Sequence, residues 1–95
     1  MYIVQRVDKS KFGTPVYRYR RINEKTDEVQ LMSVRAYIAK GLQPMIINNV
    51  ESIDISYDED ANVFTTFKYL LSGQKQYNQL TLSNLEGYEI LPEEE

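Results

Sequence analysis

The side chains best placed to do chemistry lie in the first half of the chain, where Arg6, Lys9, Lys11, Arg18, Arg20 and Arg21 are interleaved with Phe12, Tyr17 and Tyr19. Cations would meet phosphates while rings stack on unpaired bases, the combination used by surfaces that bind single-stranded nucleic acid. The charge distribution points the same way. Residues 1–40 hold nine Lys or Arg and four acids, residues 41–95 hold two Lys and ten acids, and the halves therefore stand at +5 and −8. The whole chain argues against it, because a net charge of −3 and an isoelectric point near 5.0 are far from the basic footprint of a nucleic-acid binder. Neutralisation of one half by the other across a sheet is the competing account. Such surface pairs contribute only about 0–1 kcal/mol each, so they would be incidental to folding.

Other constellations are weaker. Asp58-x-Asp60-x-Asn62 echoes the opening of a calcium loop, but the sixth position holds Val63 where glycine is needed and the twelfth holds Tyr69 where glutamate is needed. A hairpin loop is the better reading, and no metal is expected. The chain has no Cys and no His, which removes disulfides, thiol or imidazole catalysis and Cys/His metal clusters. A Ser or Tyr nucleophile would need Lys or a carboxylate as its base, and no Ser-x-x-Lys or Gly-x-Ser-x-Gly occurs. No enzymatic activity, cofactor or small-molecule ligand is expected. The acids of the second half are spaced too loosely to mimic a phosphate backbone. Eight Tyr in 95 residues suit interfaces, although Tyr is also a good strand residue. Tyr17 and Tyr19, between arginines, are the two expected to be exposed. Tyr17, Arg18, Tyr19, Arg20 and Arg21 are thus the candidate binding residues.

These residues need a scaffold, and the period of the apolar positions supplies one. Tyr2 to Val7 reads as a strand, and Val16 to Ile22 alternates as a second, with a wide loop around Gly13 and Pro15 between them. Asn23 to Asp27 carries turn chemistry, and Val29 and Leu31 give one side of a short third strand. Residues 34–40 read as the one helix, with Ser33 as N-cap, Gly41 in the left-handed cap position and Leu31, Val34, Tyr37, Ile38 and Leu42 as an apolar stripe. Two turns of helix are marginal in water, so it is expected to lie on a sheet. Beyond Pro44, extended structure restarts at Met45-Ile46-Ile47, and from Val50 the period is two through Ile53, Ile55 and Tyr57. Asp58 to Asn62 is a hairpin loop. Residues 63–70 and 76–82 are strands about a turn at Ser72-Gly73-Gln74-Lys75, and Tyr88 to Leu91 adds an edge strand.

The expected fold is therefore α+β: a mostly antiparallel sheet of about six strands in the order βββ-α-βββ, with one short helix packed on one face. Residues 1–91 form a single domain and 92–95 an acidic tail. No run is apolar enough to span a membrane, and Gln5 and Arg6 stand where a signal peptide would be greasy, so the expected location is cytoplasmic.

The stretch Gln30-Leu31-Met32-Ser33 through Lys40-Gly41, followed by Ile46-Ile47-Asn48-Asn49-Val50, resembles small proteins of unknown function from Gram-positive bacteria and their phages or mobile elements. The resemblance covers about a quarter of the chain. It implies a capped short helix ending in Lys-Gly before an extended segment, and it carries no activity and no functional residues with it. Codon usage agrees with such an origin: Phe, Tyr, Met, Ile, Asn and Lys total 34 against 15 for Gly, Ala, Arg and Pro, as an AT-rich genome produces. The function expected is that of a small non-catalytic interaction or regulatory module that binds another protein or its own copy. The alternative is a nucleic-acid accessory protein using the basic Tyr/Arg strand 16–21. The two separate on whether those arginines share an open face or meet the acidic strands.

Overall fold

The computed structural model describes residues 2–7, 14–71 and 73–92. They form one eight-stranded antiparallel sheet: β1 (Tyr2–Val7), β2 (Val16–Ile22), β3 (Val29–Gln30), β4 (Met32–Tyr37), β5 (Met45–Tyr57), β6 (Val63–Leu70), β7 (Tyr77–Ser83) and β8 (Gly87–Ile90). The fold is all-β. Among the described residues there is no helix, and the α+β class expected from sequence is overturned.

The correction falls on residues 32–37. Met32, Val34 and Ala36 are buried while Ser33, Arg35 and Tyr37 are not, which is the alternation of a pleated strand. Over so short a segment a helical stripe through Val34 and Tyr37 fits equally well. Tertiary pairing decides: β4 lies between β5, through Val34↔Ile47, and β8, through Val34↔Ile90. A strand bonded on both edges outweighs a two-turn helix that could not hold itself together. Gly41 does adopt a left-handed backbone, with φ 84°, but in the turn closed by Leu42 N–H donating to the Ala39 carbonyl at 3.1 Å rather than at a helix end.

β5 is the axis of the sheet. One of its edges pairs with β6 over Val50–Tyr57, and the other is shared by β4 at residues 45–50 and β2 at Ile53–Ile55. Two bulges let the strand bend between these partners. Asn49 takes φ 58° where the β4 register slips between Met32 and Val34, and Glu51 is the extra residue where the β6 register slips between Val50 and Ser52. Asn is among the few side chains that tolerate the left-handed region. Side chains of β4, β5, β6 and β8 meet on one face. There Met32, Val34, Ala36, Ile47, Val50, Ile53 and Phe67 form the core, and Phe67 meets Tyr88 edge-on with centroids 6.3 Å apart. Burying one such aromatic ring contributes about 1.5–3 kcal/mol.

The turns follow the chemistry of their residues. Asn23 Oδ1 accepts the N–H of Lys25 at 2.9 Å and of Thr26 at 3.3 Å, closing the β2–β3 connection. Asp58 does the same for the β5–β6 loop, accepting from the N–H groups of Asp60 and Asn62, both at 2.9 Å, and from Asn62 Nδ2 at 3.0 Å. Asn62 in turn accepts from Asn84 Nδ2, and Asn84 Oδ1 accepts the Val63 N–H at 2.9 Å, which ties this loop to the β7–β8 turn. Among the described residues, no helix is long and apolar enough to cross a membrane.

Candidate functional site

The basic strand is where the sequence placed its candidates, and β2 does bring them together, although not as an open cationic face. In the β2–β5 register Arg18 is opposite Asp54 and Tyr17 and Tyr19 are opposite Ile55 and Ile53. The two sets therefore point to opposite sides of the sheet. Arg18 donates to Asp54 twice, from Nε at 2.8 Å and from Nη2 at 3.0 Å. Arg20 Nη2 donates to Glu51 Oε1 at 3.3 Å, and Lys68 holds the other Glu51 oxygen at 3.3 Å, so one carboxylate bridges two cations. Arg21 is buried and its Nη2 donates to the Leu31 carbonyl at 2.9 Å, at the break between β3 and β4. Tyr19 packs against the core, contrary to the expectation of exposure, and Tyr17 is exposed. Lys9, Lys11 and Phe12 lie outside the described residues. Arg18 and Arg20 thus meet the acidic strand, because antiparallel pairing of β2 with β5 sets alternate residues opposite one another.

Two further acids, Asp58 and Glu89, are also occupied. The Asp58 carboxyl is held below its usual range, first by the Asn62 side chain and then by the loop N–H groups, which is the role of a loop-closing acceptor. Glu89 is lowered by the Tyr37 hydroxyl, 3.0 Å away, and by the Arg35 guanidinium that bonds the same oxygen. Among the described residues no three His, Cys, Asp or Glu side chains gather where they could hold a metal ion.

β1, β7 and β8 each have an outer edge without a partner among the described residues, and so does one half of β5, beside an apolar cleft. β6 joins β5 only from Val50, so over Met45–Asn49 the edge of β5 that faces β6 is unpaired among the described residues. In a strand bonded on one side only, alternate N–H and C=O groups point away from the sheet. The register of β5 with β6 ends at Val50↔Tyr69, beside the bulges at Asn49 and Glu51. Between the two strands opens a cleft of about 370 Å³, with Ile47, Tyr69 and Leu80 among its lining residues and Met45, Ile46 and Leu71 at its exposed margin. Ile46 is 48% exposed and Leu71 46%, large values for side chains of this kind beside a core.

Sequence reasoning had read Met45-Ile46-Ile47 as extended but had assigned it no role. A signal was present: residues 41–50 run without a single charge in a chain that is 26% charged. Edge strands are ordinarily guarded by charged side chains, and this one is not.

No protein-family profile matches the chain, and neither a curated protein nor a solved structure matches it.

Proposed function

We propose that the protein is a non-catalytic binding module that takes up an extended segment of another protein along the open edge Met45–Asn49, seating apolar side chains in the cleft behind it. The observation that carries this reading is the coincidence of unpaired strand backbone with an apolar cleft at one place. Strand addition to a sheet edge draws affinity from main-chain hydrogen bonds and specificity from pockets that take alternate side chains. A five-residue edge is about 17 Å long, enough for two or three inward side chains. What favours a protein over a nucleic acid is that Arg18 and Arg20 already bond Asp54 and Glu51, so phosphates would have to displace carboxylates.

The test is selection from a display library of random peptides, with a Leu71→Asp variant as the counter-selection target. Peptides retained by the native protein and not by the variant, shifting the amide resonances of Met45–Asn49, are the expected result. A library that enriches nothing over the variant overturns the reading. So does salt-sensitive binding of labelled oligonucleotides at about 50 and 200 mM salt that is lost in Arg18→Ala.

A further inference from the structure

The segments that build the seam have a charge character opposite to the rest of the molecule. Residues 38–50 and 69–85 contain no Asp or Glu, so all fourteen acids of the chain lie elsewhere. Their only charges are Lys40, in the turn that leads into β5, and Lys75, in the turn between β6 and β7. Both lysines are exposed, and among the described residues neither is ion-paired. Both turns lie at the Met45 end of the open edge, since β4 and β6 each run antiparallel to β5, through Ala36↔Met45 and Tyr69↔Val50, and turn beyond those pairs. Arg35 stands opposite Ile46 in the β4–β5 register but is already bonded to Glu89, so that position is neutral. Glu86 is set against Tyr37 on the β8 side of β4, with β4 and β5 between it and the open edge. In a chain of net charge −3, the segments around this open edge thus carry two lysines and no acid.

Resting on the reading of this open edge and its cleft as a strand-addition site, we infer that its partner is an extended segment with apolar residues at alternate positions and acidic residues flanking them. The apolar positions fill the cleft behind Met45, Ile46 and Leu71. The flanking carboxylates meet Lys40 and Lys75. A second copy of this chain fits less well, because its own segment 38–50 carries no acid to set against the lysines. Rim charges of this kind select the partner and speed its approach more than they deepen its affinity.

Two peptide libraries test this, each with five randomised residues, one flanked by Asp-Asp pairs and the other by Lys-Lys pairs. The expected result is enrichment from the Asp-flanked library. Affinity of its best members should fall by about tenfold in a Lys40→Glu, Lys75→Glu variant, whose substitutions lie on exposed turns and leave the core untouched. The same variant should gain binders from the Lys-flanked library. Equal enrichment from both libraries, or preference for Lys flanks, overturns the acidic partner and leaves strand addition standing. No enrichment from either overturns both readings. A dimer by light scattering that Leu71→Asp converts to monomer overturns the proposal in favour of a second copy.

Discussion

Arg18 and Asp54 face each other across the β2–β5 pairing, and the guanidinium reaches both carboxylate oxygens, at 2.8 and 3.0 Å. The pair is partly shielded, with side-chain exposures of 29% and 23%, so it is less screened than an ion pair in open water. Two parallel charge-assisted hydrogen bonds also fix the orientation of Arg18. The consequence is functional as much as structural, because the strand that looked like a cationic surface is cross-linked to its own acidic neighbour.

Removing one partner leaves the other charge half-buried and unmatched. Asp54→Ala is expected to destabilise the fold by about 1–2 kcal/mol, and Arg18→Ala by a similar amount. The double variant should cost less than the sum, with a coupling of about 1 kcal/mol in a double-mutant cycle of urea melts. Additive losses would mean that the two side chains act separately.

The acid limb of the stability curve should report Asp58 and Glu89. Both carboxyls are lowered in the folded protein, Asp58 by Asn62 and Glu89 by Tyr37 and Arg35. A group whose folded value is depressed contributes stability above its unfolded value, about 4, and loses it as the pH falls through the folded value. The thermal midpoint should therefore drop between about pH 4 and pH 2, and Asp58→Asn with Glu89→Gln should flatten that drop. Asn at position 58 still offers one oxygen to the loop N–H groups, so the hairpin survives the change. An acid limb equally steep in the double variant would assign the loss to other carboxylates.

Much of this architecture was legible in the sequence, and the failures have a common physical cause. Strand β2 over Val16–Ile22, the Asn23 turn and the Asp58–Asn62 loop follow from local chemistry, and the structure has each of them. Val34 misled because its neighbours satisfy two periods at once, and the strand that settles the matter, β8, lies 54 residues further along at Glu89 opposite Arg35. By its local pattern β5 reads as two segments, Met45-Ile46-Ile47 and a stretch from Val50, with a break at Asn48-Asn49 between them. The break is instead a bulge inside one thirteen-residue strand. The arginines were legible as residue types, but their partners Asp54 and Glu51 required the β2–β5 register, which no local pattern contains. The open seam was hidden for the same reason. An edge is unpaired only with respect to the whole sheet.

Asn49 provides a direct check on that bulge. Its φ of 58° is costly for any residue with a branched β-carbon, by about 1–2 kcal/mol, and nearly free for glycine. Asn49→Gly should hold or raise the stability, and Asn49→Val should lower the urea midpoint by the equivalent of about 1–2 kcal/mol. Equal midpoints for the two variants would show that position 49 does not require the left-handed backbone.

The open edge itself predicts a pattern of hydrogen exchange. Ile53, Asp54 and Ile55 lie between β2 and β6 and are bonded on both sides, whereas Met45, Ile46 and Ile47 pair with β4 alone and the bulge at Asn48-Asn49 follows them. Amides on a doubly paired strand exchange only when the sheet opens, but on a singly paired strand every second N–H faces out and needs no opening. Alternate amides of Met45–Ile47 should therefore exchange within the dead time of a manual NMR experiment while their neighbours, bonded to β4, persist with those of Ile53–Ile55. Addition of a peptide that pairs with the edge should slow the fast set and leave the slow set unchanged, a response that distinguishes strand addition from an apolar side chain merely entering the cleft. Uniform protection along Met45–Ile47 in the free protein would mean that the edge is already covered in solution, and the seam would then be an interface of the protein with itself.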